Sequence, residues 1–517
     1  DSGIDSDYND WFSSKTLNTM VWGAESKQFN AGWFGKDSNS RAVDPLWFNA
    51  SAGIEDFHPK SAGGRYNPAD GWATPLIDDL TSLTIDAGDP GEGFTNETGA
   101  DNLAVNQGSY GDTVEASRSV PQLCPIARTV CQTGTCNSLS IQGAIDSITP
   151  KSLSGHTCVL IMDAATYTEQ VTVEGFSFTS GLSTFTIRRG DGVSGRPVVA
   201  PLSTSTAAFK IVNSSVNIFN IDVKPAESVA YGILASSANV TISSVNVDSN
   251  GKIWTAGVAI SSWTTISYSS ITVQVAQGLY VSGENNTISY STASVKSGST
   301  TRYSLYLSAA STNSITNSYF VNNSNVVGAA MQLLSSRYNT IANNRFYSPG
   351  GTFVALIDKS SYNVITDSMF TASDMYGLQI TNSSNFNSVL RSTFTTPNSS
   401  GGYALHIKTD SKDNSVRNSY FQGTVYEAVR IESDRNSIIL STAVAQSVGA
   451  VVLNSASSTT LTDVFLYASN SPALTVTGGA FNMVIHSTMV RAGSASSGRS
   501  LVITNSSTMT IVDSYVL

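Results

Sequence analysis

One motif, Asn-x-Ile-x-x-Ser-x-Phe, recurs through the second half of this chain and restricts its fold more than any other feature. It reads Asn313, Ile315, Ser318, Phe320, then Asn339, Ile341, Asn344, Phe346, then Asn363, Ile365, Ser368, Phe370. Asn387, Val389, Ser392, Phe394 and Asn414, Val416, Ser419, Phe421 follow, with looser copies at Asn436, Ile438, Ser441 and at Asn482, Val484, Ser487. The Ile column extends to 218, 242, 266, 288, 461 and 511, so its thirteen positions between 218 and 511 have a mean spacing of about 24 residues. A second motif runs in step, an apolar alternation after a small residue: Gly257-Val258-Ala259-Ile260, Gly278-Leu279-Tyr280-Val281, Gly377-Leu378-Gln379-Ile380, Ala404-Leu405-His406-Ile407 and Ala428-Val429-Arg430-Ile431. Alternation with period two marks a strand with one buried face.

Each period therefore holds at least two short strands joined by tight turns, with no helical stretch long enough to separate them. That pattern predicts an all-β fold, a parallel β-helix solenoid. A sandwich or barrel of short strands is the competing reading, but sandwiches rarely keep one register over so many repeats. At about 4.8 Å per rung the Ile column alone spans about 60 Å. The Asn residues are expected in left-handed turns, which Asn tolerates. Stacked coil on coil, their side chains are expected to form a hydrogen-bonded ladder at Asn313, Asn339, Asn363, Asn387, Asn414, Asn436 and Asn482. Ile and Ser are an odd number of residues apart, so both point inward only if a bend falls between them.

Composition agrees. Only 13% of the 517 residues are charged, with Ser, Thr, Asn and 40 Gly in their place. An all-α protein uses far more charge to solvate its helices, and a 40% hydrophobic content argues against disorder. The net charge of −10 excludes nucleic acid as a natural partner, and no apolar run is long enough for a membrane-spanning helix. Cys124, Cys131, Cys136 and Cys158 cluster in one segment without metal-site spacing, so one or two disulfides and an extracytoplasmic location are expected. All three pairings stay open. Most Asn-x-Ser/Thr triplets, a set that includes Asn239 and Asn322, are expected by chance in so Asn- and Ser-rich a chain, and they are weak evidence for glycosylation. With Asp1 first, the chain reads as a mature or trimmed product.

Three regions follow: a Trp-rich segment at 1–117, a Cys-containing junction and cap at 118–160, and the repeats at 161–517. The segment Ser140-Ile141-Gln142-Gly143-Ala144-Ile145, followed by Val159-Leu160-Ile161 and Ala165-Thr166-Tyr167-Thr168-Glu169, resembles the opening coil of the right-handed parallel β-helix, or pectate-lyase-like, superfamily. The resemblance covers nearly the whole chain and implies a short N-terminal capping helix near 140–148. In style the chain is most similar to bacterial cell-surface β-helix repeat proteins. Asp44-Pro45-Leu46-Trp47-Phe48, Asp56-Phe57-His58-Pro59-Lys60-Ser61 and Ile85-Asp86-Ala87-Gly88-Asp89-Pro90 resemble the closing part of another β-helix, from which Asp1 is expected to be a cut point inside a longer precursor. Ile511-Val512-Asp513-Ser514-Tyr515-Val516 reads as a repeat strand with no cap after it, an end expected to stack on a neighbour.

Enzymes of that superfamily act on acidic polysaccharides through outward Asp, Arg, Lys or His, often with Ca²⁺. The matching block here aligns His406 with Arg430, Lys408 with Glu432 and Asp410 with Asp434, with Asp358 in the Lys408/Glu432 column two coils earlier. His406, Lys408, Arg430 and Glu432 are thus the catalytic candidates, against the plainer reading of a solvated face with one cross-strand ion pair. Asp5 and Asp7, and separately Asp86 and Asp89, are candidate Ca²⁺ ligands, against Asx turns at loop tips. Apart from Ca²⁺ no cofactor is expected. Trp11, Trp22, Trp33, Trp47 and Trp72 read as an interface or a sugar-stacking platform. The leading expectation is a non-enzymatic extracellular or cell-surface structural protein, an adhesin or a filament or sheath subunit packing through uncapped ends. Its partners would be copies of itself or a surface polysaccharide. A polysaccharide lyase, hydrolase or esterase at 406–435 and a glycan-binding module are the alternatives.

Overall fold

The computed structural model divides the chain into two compact units, Asp1–Cys124 and Pro125–Leu517. In the first it describes residues 8–10, 20–22, 25–27, 39–41, 43–51, 55–61, 64–76, 78, 81–89, 92, 94–97 and 104–118. In the second it describes 126–517 except 179–183, 191–192, 203–204, 237–238, 297–300, 324–327, 351, 373–375, 397–401, 480–482, 487, 494–498 and 506–507. Among these residues the second unit is a parallel β-helix whose coils of roughly 24 residues each contribute one strand to each of three sheets. The first sheet runs from Thr166–Tyr167 to Tyr515–Val516, the second from Val171–Glu174 to Leu501–Ile503, and the third from Ile126–Val130 to Met509–Val512. Every pairing within them is parallel. One coil shows the order: Tyr319–Asn322, Gly328–Leu334, then Thr340–Ala342.

The Ile column is the inward spine of the third sheet. Ile315 pairs in register with Ile341, Ile341 with Ile365, Ile365 with Val389 and Val389 with Val416, all within 1% of full burial. One position needs correction. The register pairs Leu461 with Ile485, not Val484, and Ile485 with Ile511. Val484 is 38% exposed while Ile485 is buried. The motif match at 482–487 therefore lies one residue early, and a one-residue slip exchanges inward and outward faces. Asn482 itself lies outside the described residues.

The Phe column lines the inner face of the first sheet. Phe320, Phe346, Phe370, Phe394 and Phe421 stack with centroids 5.2, 4.7, 4.6 and 5.2 Å apart, and all are buried. The bend between Ile and Ser falls where the spacing requires it: Asn317 (φ 49), Asn343 (φ 56), Asp367 (φ 51) and Arg391 (φ 42) are left-handed. The side chain that follows each corner, Ser318, Asn344, Ser368 or Ser392, satisfies two backbone groups. The Ser368 hydroxyl donates to the Thr366 carbonyl at 2.9 Å and accepts from the Asn344 N–H at 3.1 Å. The small residue opening the second motif also has a steric cause. A Cβ on Gly377 would sit 2.4 Å from the Ala404 carbonyl oxygen, too close for any larger side chain.

The Asn residues form a buried chain of hydrogen bonds. Asn339 Oδ1 accepts from the Asn313 backbone N–H at 3.0 Å and from Asn313 Nδ2 at 2.9 Å. The same double contact joins Asn339 to Asn363, Asn363 to Asn387, Asn387 to Asn414 and Asn414 to Asn436. The run starts one coil earlier than the sequence motif suggests, because Asn313 Oδ1 accepts from the N–H and Nδ2 of Asn286. The left-handed residue is not the ladder Asn, as its turn preference suggests, but the residue before it: Thr312 (φ 55), Tyr338 (φ 57), Tyr362 (φ 60), Phe386 (φ 57), Asp413 (φ 60) and Arg435 (φ 55). The Asn is retained for its carboxamide, which donates and accepts at once.

A six-residue helix, Ile141–Asp146, buries Ile141, Ala144 and Ile145 in the solenoid core. Ser140 Oγ accepts from the Gly143 N–H, and the Glu169 carboxylate accepts from the N–H groups of Ile141 and Gln142 at 2.7 and 3.0 Å. The Tyr-x-Glu turn that follows the helix in sequence thus satisfies the free donors of its first turn. Cys131 and Cys136 form a disulfide, and Cys158 is also disulfide-bonded. Cys124 lies outside the described residues.

The first unit's described strands pair antiparallel in twos: Met20–Trp22 with Glu25–Lys27, Trp47–Asn49 with Asp56–Pro59, and Arg65–Asn67 with Gly71–Leu76. Arg65, 1% exposed, bridges Asp56 Oδ2 at 3.1 Å and Asp78 Oδ2 at 3.2 Å and lies 3.6 Å over the Phe48 ring.

Candidate functional site

The outward face of the second sheet carries the charged block. Gln379 pairs in register with His406, and His406 with Arg430, so three polar side chains rise in one column. His406 is 5% exposed. Its Nε2 lies 3.1 Å from Glu432 Oε2 and its Nδ1 lies 3.2 Å from Gln379 Nε2. A neutral imidazole with its proton on Nε2 satisfies both contacts, donating to Glu432 and accepting from Gln379. Arg430 Nε donates to Glu432 Oε1 at 2.7 Å, and Arg430 NH1 donates to Glu427 Oε1 at 3.2 Å. Both oxygens of Glu432 and both nitrogens of His406 are therefore occupied.

This corrects the expected charge pairing. Lys408 forms no ion pair with Glu432; Glu432 is taken by Arg430 and His406 instead. Arg430 lies on the strand Val429–Ile431, and Glu432, directly after it and two residues on, extends the same outward face. Asp434 pairs with Lys412 at 3.3 Å, and Asp413 with Arg435 at 2.7 Å. Asp358 accepts from Asn382 Nδ2 at 2.8 Å.

The sequence reading missed the aromatic surround. The His406 ring stacks on Tyr376 (centroids 5.9 Å, 15° between planes) and meets Tyr403 edge-on at 4.7 Å. Tyr403 also contacts Tyr426 edge-on at 6.0 Å and lies 5.6 Å beneath the Arg430 guanidinium. All three tyrosines are half-buried. A signal was present, since Tyr376 and Tyr403 each directly precede the small residue of the second motif.

Burial pulls the His406 imidazole down to about 4, against an upward pull from Glu432. Burial pushes the Glu432 carboxyl up, but the hydrogen bonds from Arg430 and His406 outweigh it and hold the group below its ordinary value. Burial likewise raises the Tyr376 and Tyr403 phenols. Because the folded His406 value lies below its ordinary 6.5, the unfolded chain binds the extra proton between pH 6.5 and 4. The stabilisation is complete above pH 6.5 and lost as pH falls to 4, about 3 kcal/mol in all. Histidine-selective NMR is expected to give a His406 midpoint near 4; a midpoint at or above 6 would contradict a buried, neutral ring.

The other expected sites are placed as follows. Among the described residues no three His, Cys, Asp or Glu side chains converge as a metal site. Asp86 occupies a left-handed turn (φ 54), and its N–H donates to Asn106 Oδ1 at 2.7 Å. Glu97, in the same acidic run as Asp86 and Asp89, accepts from the N–H groups of Asn106 and Asp112. Asp5, Asp7, Trp11 and Trp33 lie outside the described residues, as does the side chain of Trp22. Trp47, 44% exposed, packs edge-on to Phe57 at 5.1 Å. Trp72 is half-buried, donates Nε1–H to the Val114 carbonyl, and lies 3.8 Å under the Arg118 guanidinium.

Fold and site together define a parallel β-helix with an ion-paired, aromatic-flanked patch on one sheet. Residues 256–421 match the family model described as a right-handed beta helix region. Solved structures similar to the chain include the tailspike protein of Escherichia coli bacteriophage HK620 in complex with pentasaccharide (9% identity, 64% of this chain and 72% of that one, TM-score 0.45). Another is a mannuronan C-5 epimerase A-module of Azotobacter vinelandii (11% identity, 72% and 93%, TM-score 0.33). A third is the DFA-IIIase of Arthrobacter chlorophenolicus A6 in complex with GF2 (12% identity, 64% and 83%, TM-score 0.33). No curated protein matches the sequence. No helix among the described residues is long and apolar enough to cross a membrane.

Proposed function

We propose that the chain is a non-enzymatic extracellular β-helix that binds polysaccharide along the second sheet, with Tyr376, Tyr403 and Tyr426 as the contact surface. The observation that carries this reading is the mutual pairing of His406, Arg430 and Glu432 beside those rings. A general acid or base exchanges its proton with substrate, so a group held by its neighbours acts only by giving up one of those contacts. His406 has both nitrogens engaged and Glu432 both oxygens. Tyr376 is stacked on both Phe353 and His406, and Tyr403 lies under Arg430, so the half-buried phenols would meet a sugar through ring edges and hydroxyls, suited to its C–H groups and hydroxyls.

Affinity electrophoresis through gels cast with pectin, alginate, xylan or cellulose derivatives tests the proposal. Retardation by at least one polymer is expected, with at least a fivefold loss of affinity in Tyr403→Ala. Equal mobility of wild type and variant in every gel would overturn it. The adhesin form of this reading presents the tyrosine face to a surface glycan. The filament form adds packing between copies, and electron microscopy showing only isolated rods at high concentration would remove that form.

A further inference from the structure

The third sheet carries a separate groove, in coils well before the His406 patch. Its floor is the outward column Asn217, Thr241 and Thr265, which pair in register on three successive coils. Trp263 forms one wall. It occupies a left-handed corner (φ 56) and is 55% exposed. The groove has a volume of about 370 Å³, at the lower end of the roughly 300–1,000 Å³ of small-ligand sites.

None of the lining residues carries a formal charge. The hydroxyls of Thr241 and Thr265 have no hydrogen-bond partner among the described residues. The Asn217 carboxamide makes one long contact, 3.5 Å to Thr186 Oγ1. An exposed indole beside unpaired hydroxyls and a carboxamide matches a ligand with a flat apolar face and a rim of hydroxyls. With no cation in the lining, an anionic sugar or a phosphate has no counter-charge there.

We infer that this groove is a second carbohydrate site, selective for neutral oligosaccharide and lying along the solenoid axis. It stands on its own geometry and does not depend on the tyrosine patch.

Calorimetric titration of the full chain with cellohexaose, xylohexaose, chitohexaose and hexagalacturonate tests the assignment. Binding of at least one neutral hexasaccharide is expected, weakened tenfold or more by Trp263→Ala and measurably by Thr265→Val, and unchanged by Tyr403→Ala. Trp263 and Thr265 are exposed, so neither variant should disturb the core. The inference is overturned if no neutral hexasaccharide binds, if both groove variants bind as wild type, or if the Trp263-dependent ligand is hexagalacturonate. A loss in Tyr403→Ala with no change in Trp263→Ala would assign the binding to the second sheet and also overturn it.

Discussion

Phe370→Ala is expected to lower stability by about 4–6 kcal/mol. Removing a buried Phe costs about 3–5 kcal/mol through lost transfer energy and the cavity left behind. Phe370 also stacks on Phe346 and Phe394, at 4.7 and 4.6 Å, and each such pair contributes about 0.5–1.5 kcal/mol. The ring is wholly buried, and no neighbour is free to fill the gap, because the rings above and below are fixed in stacks of their own. Phe386→Ala provides the internal contrast. Phe386 also stacks on an aromatic neighbour, Tyr362, at 5.0 Å, but it is 48% exposed, so its removal is expected to cost about 1 kcal/mol or less. Denaturant midpoints for the two variants check the difference, and similar midpoints would contradict the assignment of the Phe column to the core.

Asn363→Ala is expected to cost about 3–5 kcal/mol although it removes few atoms. Asn363 Oδ1 accepts from the backbone N–H and Nδ2 of Asn339, and its own Nδ2 donates to the Ser336 carbonyl and to Asn387 Oδ1. Alanine leaves the buried Asn339 N–H without a partner, at about 1–3 kcal/mol, removes the remaining side-chain hydrogen bonds of Asn363, at about 0.5–1.5 kcal/mol each, and breaks the chain between coils, while the Ser336 carbonyl keeps the Ser361 N–H. Thr340→Ala, an exposed position on the third sheet with no side-chain hydrogen bond among the described residues, should change stability by less than about 0.5 kcal/mol. Hydrogen exchange localises the effect: faster exchange in the Asn339 and Asn363 coils is expected, and uniform behaviour of the two variants would contradict a cooperative ladder.

Sequence periodicity reveals positions within a coil well and side-chain partners poorly. The Ile, Ser and Phe columns were legible because burial repeats the same residue type at the same place in every coil. The alignment of His406 with Arg430 was legible for the same reason, since register follows directly from the repeat. The pairing around Glu432 was not. A column alignment puts Lys408 beside Glu432, whereas the side chain turns to Arg430 two residues earlier and to His406 one coil before. The left-handed corners were hidden because Tyr, Phe, Thr, Asp and Arg all occupy them, so no residue type marks the conformation. The one-residue offset at Ile485 was hidden, because Val484 and Ile485 both suit an apolar column. The Trp263 groove escaped notice because its parts come from three coils and none carries a charge.

The low charge of the chain also acquires a physical cause. Outward columns such as Asn217, Thr241, Thr265, Thr287 and Ser314 place like positions about 4.8 Å apart, where repeated charges would repel. Charge survives where the fold pairs it, as in Asp413 with Arg435 and Asp367 with Arg391, both at 2.7 Å.

The most direct test of the binding, non-catalytic reading is to incubate the full chain with each polymer that retards it and to follow polymer length by light scattering and unsaturated products by ultraviolet absorbance. Retention without shortening, and without new absorbance, is the predicted result. Depolymerisation that disappears in Glu432→Gln or Arg430→Ala would contradict it and make the paired cluster an active site.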